Sequence, residues 1–581
     1  MEKNSGSNTF MFMMVLAVVL IGFLWVSYFT TKDKNISTNT TNFEANQNNV
    51  KINNNVTLNT IQDFELVEEA QTEQYDLVYE NKNIKIEFSP YDAIIKNAWA
   101  KDTFMKRKEV KMYDLVLGDE NNGALRLKFG SWENDITIST LTGGKNLFNY
   151  KREGDKFIFT CKLKKKSEDL VYTIIKTYQF IDDENLFKLT VDISNSKNIP
   201  INFDNSGISF SIAWGPRLGV DKDKPYNNRY DMFTYLKNSE LKKVLINDKM
   251  IKDSKINFAT KTKEGNEYWL SCNNHYFTTI IYPDNQNYKF LFDYRKSSNN
   301  TYYGGLSRDT IDKSVLKSEF YVYVGPKLGS VLNKYNNFEK ENFSLKETKF
   351  SAIDASTFFY IDKLLTYPLN WIFLLVKNYG IAIIIFTILI KLLMSPLTHQ
   401  SMVSQEKMSK LQPKMKVLQE KYKDKPEVLN RETMNLYKKE GINPLSGCLP
   451  LVLQMPILFA MYGLIDNMFQ LKGESFLWIN DLALPDSVLF FPFTLPFVNI
   501  NSLNILPIIM TGVSVLSTMF MPDTSSNKQA KIMMWSMPLV FFFLFYNVSS
   551  GLVLYWTVMN ILNLVQQIYI NYFRKKIVKK A

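Results

Sequence analysis

The sequence predicts a polytopic α-helical membrane protein of six spans that also carries an all-β sandwich domain. Three observations lead there. Apolar residues, 46% of the 581, gather into long runs in the C-terminal third, whereas residues 32–350 read as a soluble segment. The connections between the runs are biased in charge. The soluble segment breaks into short alternating stretches between turns rich in Asn, Asp, Gly and Lys, the pattern of half-buried strands.

The first run, Phe10 to Phe29, is uncharged for twenty residues, enough to cross a bilayer. It reads as an uncleaved anchor within residues 1–31 rather than a signal peptide. The run is long for an h-region, and Phe29-Thr30-Thr31-Lys32 offers no small-x-small cleavage site. Five further spans are expected at Tyr379–Leu397, Pro444–Ile465, Leu503–Met521, Ile532–Phe545 and Gly551–Tyr569. Residues 398–443 carry ten Lys/Arg against six acids, and the tail 573–581 has Arg574, Lys575, Lys576, Lys579 and Lys580 with no acid. The loop 466–502 has Lys472 against Asp466, Glu474, Asp481 and Asp486. The positive-inside rule puts the first two in the cytoplasm and the last outside. Six spans then leave both termini inside and residues 32–355 on the far side. Much of the +12 formal charge is explained by this topology.

Residues 32–74, rich in Asn, Thr, Gln and Glu, are expected to be a flexible linker. The sandwich is expected over 75–350, with strands such as Ile84–Phe88, Lys156–Leu163, Leu170–Phe180, Leu186–Ile193, Tyr276–Tyr282, Tyr288–Tyr294 and Glu319–Val324. Three cysteines exclude a disulfide-dense scaffold. Cys161 and Cys272 could pair in an oxidising compartment, which sequence leaves open. Two distant histidines, His275 and His399, argue against a His-based metal site or Ser-His-Asp catalysis. No metal and no cofactor are expected.

Between the sandwich and the second span, residues 357–377 place Phe358, Ile361, Leu365, Leu369, Ile372 and Leu375 at helical spacing, with Asp362, Thr366 and Asn370 opposite. That is an amphipathic helix, lying in the outer interface or packed on the sandwich.

Lys391 interrupts the second span. A lysine at a helix centre costs on the order of 2.5–3.5 kcal/mol on the insertion scale. Two readings stand: the side chain snorkels to the inner interface, or it faces a wet cavity open to the cytoplasm. Thr387 lies one turn earlier on its face. Gln454 is mid-span in the third helix. Thr511, Ser514 and Thr518 share a face of the fourth, and Thr557, Asn560, Asn563 and Gln567 run down one side of the last. Each alone could be an ordinary interhelical hydrogen bond. Together they favour a shared hydrophilic interior. No Asp or Glu falls inside an expected span, which weighs against a coupled transporter. An exported glycan-active enzyme would leave five spans unexplained.

In the cytoplasmic segment 398–443, Met408, Leu411, Met415, Leu418 and Tyr422 recur at 3, 4, 3, 4, a heptad seam. A turn at Lys423-Asp424-Lys425 and Pro426 open a second helix to Glu440. An antiparallel hairpin with a Lys-rich outer face results.

These residues resemble the YidC-type membrane protein insertases. The resemblance rests on Lys391-Leu-Leu-Met-Ser-Pro-Leu-Thr398, Lys410-Leu-Gln-Pro-Lys414, Asn443-Pro-Leu-Ser-Gly-Cys-Leu-Pro450, Gln454-Met-Pro-Ile457, Lys531-Ile-Met-Met-Trp-Ser-Met-Pro538 and Ser550-Gly-Leu-Val-Leu-Tyr555, in family order. It covers residues 357–572 closely. It extends more loosely over 75–345, which ends in Tyr323-Val-Gly-Pro326 and resembles the family's periplasmic sandwich.

The resemblance implies a five-helix insertase core over 378–572, with a groove open to the cytoplasm and lipid. It implies no enzymatic activity. The groove floor carries a positive residue, usually arginine. Here that position is Lys391, which keeps the charge but loses the bidentate fork. Gln454, Met455 and Trp556 match groove-lining positions, the last often tyrosine in the family. Groove contacts are thus expected from Lys391, Thr387, Gln454, Met455, Thr511, Trp556 and Asn560. Cytoplasmic capture is expected from Lys410, Lys414, Arg574, Lys575 and Lys576. Implied partners are nascent membrane proteins, the ribosome, a Sec translocon with its accessory subunits, and the lipid bilayer; no DNA is expected. The implied location is the bacterial inner membrane, with residues 32–355 periplasmic.

Overall fold

The structure, a computed structural model, describes residues 64–67 and 77–578 apart from short internal stretches. The longest of these are 104–109, 219–231, 246–255, 259–268, 355–360, 442–448 and 522–527. The expected first span Phe10–Phe29 lies outside the described residues. The chain divides into two compact units, with the boundary at Ala355/Ser356.

In the β unit every strand named from the sequence forms, within a residue or a few of its expected ends. Among the described residues, Lys156–Lys165, Leu170–Phe180 and Leu186–Asn195 are neighbours in a ten-stranded antiparallel sheet that continues through Val315–Pro326, Phe277–Pro283 and Trp269–Asn273. Leu170–Phe180 alternates buried and half-buried residues along its whole length, as period-two patterning requires. Two smaller sheets face the long one. Phe88, on a four-stranded sheet, packs its ring 4.7 Å from Tyr178 and 5.0 Å from Phe157. Phe292, on a five-stranded sheet, lies 5.1 Å from Phe233. Aromatic pairs thus carry the core between the layers.

One expectation changes and one open question closes here. Phe64–Leu66, within the expected linker, is a strand that pairs with Leu163–Lys165 at the sheet edge. Phe64 and Leu66 alternate about Glu65, and the Phe64 ring is buried beside Tyr172, 6.2 Å away. Cys161 and Cys272 are buried free thiols. Four strands separate theirs in the long sheet, about 24 Å at the usual strand spacing, well beyond disulfide reach. Burial pushes the Cys161 thiol up to about 12.

The middle of the long sheet buries a cation. Lys176 donates to the carbonyls of Ala93 (2.5 Å) and Leu125 (2.8 Å), and at 3.5 Å to that of Asp92. All three residues have positive φ, a conformation unusual for non-glycine residues. Asp92 is itself paired with Arg126 at 2.7 Å. Burial lowers the Lys176 amine to about 7, partly countered by Asp92.

The second unit is helical: α1 Ile361–Val376, α2 Tyr379–Lys410, α3 Gln412–Lys421, α4 Pro426–Lys439, α5 Leu449–Asn467, α6 Ile505–Phe520, α7 Lys528–Phe545 and α8 Ser550–Val578. Among the described residues α2 is the helix long and apolar enough to cross a membrane unaided; 364–376, 505–520 and 534–545 are shorter apolar helices. The span expected to end at Leu397 runs on: α2 continues for 32 residues through Pro396 past the first seam residue, Met408, and the helix ends before Leu411. Leu411 and Met415 are buried in the seam, and Lys414 meets Glu440 across the α3–α4 pair at 2.7 Å.

α1 buries Leu369 and Ile372, while Leu364, Tyr367, Trp371 and Leu374 are exposed. Apolar groups therefore occupy two sides of this helix, more than a single amphipathic face supplies. A two-stranded hairpin, Ser487–Leu495 with Ile500–Asn504, leads directly into α6. It was read from the sequence as part of a loop.

Candidate functional site: a buried lysine among polar helix faces

α8 meets α2 on one side and α6 on the other through polar side chains. α2 starts where Asn378 caps it, its side chain accepting from the Ile381 N–H at 3.0 Å. The loop after α5 packs against the start of α2 and of α8. Phe476 lies so close to Gly380 that a Cβ there would fall 2.2 Å from its ring. The N–H groups of Ser550 and Gly551, at the start of α8, donate to the carbonyls of Leu484 and Leu482 at 2.7 and 2.8 Å. Asp486 accepts from the Leu506 N–H at 2.7 Å in the first turn of α6, where the helix has free donors.

Lys391 lies twelve residues into α2, about 18 Å along the axis. It is 7% exposed. Its Nζ donates to Asn563 Oδ1 of α8 at 2.5 Å. Leu392 and Leu393 beside it are strongly exposed, so the lysine face of α2 turns inward and the leucine face outward. Among the described residues no carboxylate pairs with this ammonium. Lysine has three donors, and one protein acceptor is seen. One turn away, Thr387 is fully buried and its hydroxyl donates back to the Ile383 carbonyl at 2.6 Å. Two turns the other way, Thr398 reaches Gln566 at 3.3 Å.

α8 bridges both neighbours from a single stripe. Asn563 takes the lysine of α2, and Asn560 donates to Ser514 Oγ of α6 at 2.9 Å. The hydroxyls of Thr511, Ser514, Thr518 and Thr557 each donate to a carbonyl four residues back. They satisfy themselves within their helices and leave lone pairs towards the interior. Gln454 is half-buried, and its Nε2 is a buried donor with no hydrogen-bond partner among the described residues; Tyr555 Oη is another.

The sequence-predicted residues divide into groups. Lys391 and Asn560 sit at the helix contacts just described, with Thr387 and Thr511 on the same faces. Trp556 packs as core, its ring stacked 5.6 Å from Phe545. Met455 is half-buried. Lys410 and Lys414 are exposed and each meets an acid, Glu406 at 3.2 Å and Glu440 at 2.7 Å. Arg574, Lys575 and Lys576 fall in the last turns of α8, with side chains outside the described residues. Asn563, the nearest partner of the lysine, was visible only as a member of the polar stripe. Its spacing of three from Asn560 was the available signal. Among the described residues no group of His, Cys, Asp or Glu gathers as a metal site.

The family described as 60Kd inner membrane protein matches residues 371–578, and that described as YidC periplasmic domain matches residues 150–343. The membrane protein insertase YidC of Treponema denticola is 36% identical over 480 residues, 79% of each chain. That of Chlorobaculum tepidum is 37% identical over 324 residues, covering 53% of this chain and 52% of the relative. A crystal structure of an active YidC insertase is 18% identical and covers 89% of this chain and 97% of that one, with a TM-score of 0.33. The chain belongs to the YidC family of membrane protein insertases, a non-enzymatic family.

Proposed function

We propose that this protein inserts integral membrane proteins through a hydrophilic groove between α2, α6 and α8, with Lys391 as its positive charge. The observation that carries the reading is a buried ammonium held by one neutral amide, Asn563 at 2.5 Å. Such a charge retains donors for an incoming anion. A hydrophilic segment must cross lipid to reach the far side. A wet groove shortens the dry path, and a buried cation attracts acidic segments. The substrate's apolar helix then leaves into lipid beside the groove, where burial of apolar surface drives the step. No nucleotide or covalent step is required.

The same reading places six spans in a bacterial inner membrane, both termini in the cytoplasm and residues 32–355 in the periplasm. The loop that covers the start of α2 and α8 closes the groove outside. The hairpin and the basic tail receive substrate from the ribosome, alone or beside a Sec translocon. The test replaces Lys391 by Arg, Ala and Glu and measures insertion of a single-span substrate with an acidic translocated segment into proteoliposomes. Arg keeps activity, and Glu loses most of it. Equal activity of Glu and Lys overturns the electrostatic role.

A further inference from the structure

The hairpin Ser487–Leu495/Ile500–Asn504 is built unlike the sandwich strands. Successive residues of a strand point to opposite faces, so a strand with one buried face alternates. Here Val488, Leu489 and Phe490 are consecutive and all exposed, at 50%, 56% and 67%. The ladder shifts register between Ser487 and Leu489, which makes Val488 an extra residue; Leu489 and Phe490, on opposite faces, are both apolar and open to the surface. Residues 487–504 contain no charged residue. Three exposed apolar neighbours in a row are a liability in water, and an isolated two-stranded hairpin is marginal there.

Its base is the opposite. Ser487 Oγ lies 3.0 Å from Ser502 Oγ and donates to Asn504 Oδ1 at 3.1 Å. Asn504 Nδ2 donates to the Tyr546 carbonyl at 2.6 Å, and Tyr546 Oη to the Ser502 carbonyl at 2.8 Å. Asp486 accepts from Trp478 Nε1 at 3.1 Å. A fixed polar base therefore carries an apolar blade. The blade runs without a linker into α6, whose Ile508, Leu516, Met519 and Phe520 are also exposed. The apolar outer surface of α6 thus continues onto the hairpin.

We infer that this hairpin is a lipid-embedded foot, inserted into the acyl–headgroup boundary at the end of the helical unit where α6 begins. The partner is the bilayer itself. A protein partner would be expected to meet some charge or one patterned face, and this strand offers neither. The open hairpin edges keep it at interface depth, where water still reaches unpaired backbone groups. The half-exposed Trp478, bonded to Asp486, fits the aromatic belt of that zone. The inference rests on the membrane reading of α6, so α6 supplies the control.

Spin labels are placed at Leu489→Cys, Phe490→Cys and, in α6, Leu516→Cys, each in the full chain carrying Cys448→Ser; Cys161 and Cys272 are buried. The protein is reconstituted into phosphatidylethanolamine–phosphatidylglycerol vesicles. Collision rates with oxygen and with a water-soluble nickel chelate are compared. All three labels are expected to favour oxygen, with the two hairpin labels shallower than Leu516. A preference for nickel over oxygen at either hairpin label, with Leu516 still in lipid, overturns the foot alone. Low access to both reagents there shows a protein cover and equally overturns it. Nickel access at Leu516 overturns the membrane reading beneath it.

Discussion

Each unit of this protein buries a lysine, and the two are treated differently. Lys176 of the β unit meets three backbone carbonyls, from Asp92, Ala93 and Leu125. Its three donors are used up by two turns held in left-handed conformations. Lys391 of the helical unit meets one side-chain amide, on a helix that also bonds elsewhere. The first ammonium is a fastener; the second keeps hydrogen-bonding capacity. Burial alone therefore does not distinguish the two lysines; the number and kind of acceptors around each do.

The largest expected effect breaks the fastener. Lys176→Met leaves the carbonyls of Ala93 and Leu125 buried without that donor, a loss of about 2–5 kcal/mol. Hydrogen exchange of the Leu170–Phe180 strand should accelerate accordingly, while insertion by the remaining folded protein stays near normal. Lys391→Met should give the reverse, a small change in exchange and a large loss of insertion. If both variants unfold alike, the distinction between the two lysines fails.

A pH profile sharpens the same contrast. Burial holds the Lys176 amine near 7, against about 10.4 in an unfolded chain. Between those values the unfolded state binds a proton that the folded state does not, so stability rises with pH. The cost of the buried charge is full below about pH 7 and disappears towards 10.4. Protection of the Leu170–Phe180 strand should increase from pH 7 to 9, and Lys176→Met should flatten that slope.

Asn563 offers the next test. Asn563→Asp gives Lys391 a permanent carboxylate partner at the same distance, and an acidic substrate must then compete with it. Insertion of a substrate with an acidic translocated segment should fall roughly tenfold, about 1.4 kcal/mol. A neutral segment should be much less affected. Equal loss for both substrates would mean that Asn563 only supports packing.

The β unit was legible because its signal is local. Alternation along Leu170–Phe180 and the Asp182–Asn185 turn fix a strand and its end without reference to anything distant. Phe64–Leu66 was missed because three residues in a polar segment carry little periodicity; the sheet edge decides them. In the helical unit, Lys391 stood out as a charge in an apolar run. Its partner did not, since a pairing across 172 residues depends on how two helices are rotated. Trp556 is a second case. Its stacking on Phe545 likewise depends on how two helices are placed, and no local pattern around it announces that contact. The hairpin before α6 was hidden because its position between two expected spans, beside the acids of 466–486, reads as a connecting loop, and a continuous apolar run carries no alternation to mark a strand.

The smallest expected effect concerns the basic surfaces of the hairpin and tail, where Lys410 and Lys414 already meet acids close by. Exposed pairs of this kind contribute little to stability, so Lys414→Gln should leave thermal unfolding nearly unchanged. Glu440, whose carboxyl Lys414 holds below the usual range, would become a free anion beside the α3–α4 surface. If that surface captures ribosomes, the net loss of positive charge should weaken cosedimentation modestly and make it less steeply salt-dependent. The tail should matter more, since residues 573–581 hold five basic residues and no acid. Deleting residues 574–581 separates capture from topology. Capture predicts reduced cosedimentation with α8 correctly oriented, and a milder defect for substrates inserted after synthesis. Unchanged cosedimentation with a misplaced α8 would assign the tail to the positive-inside rule alone.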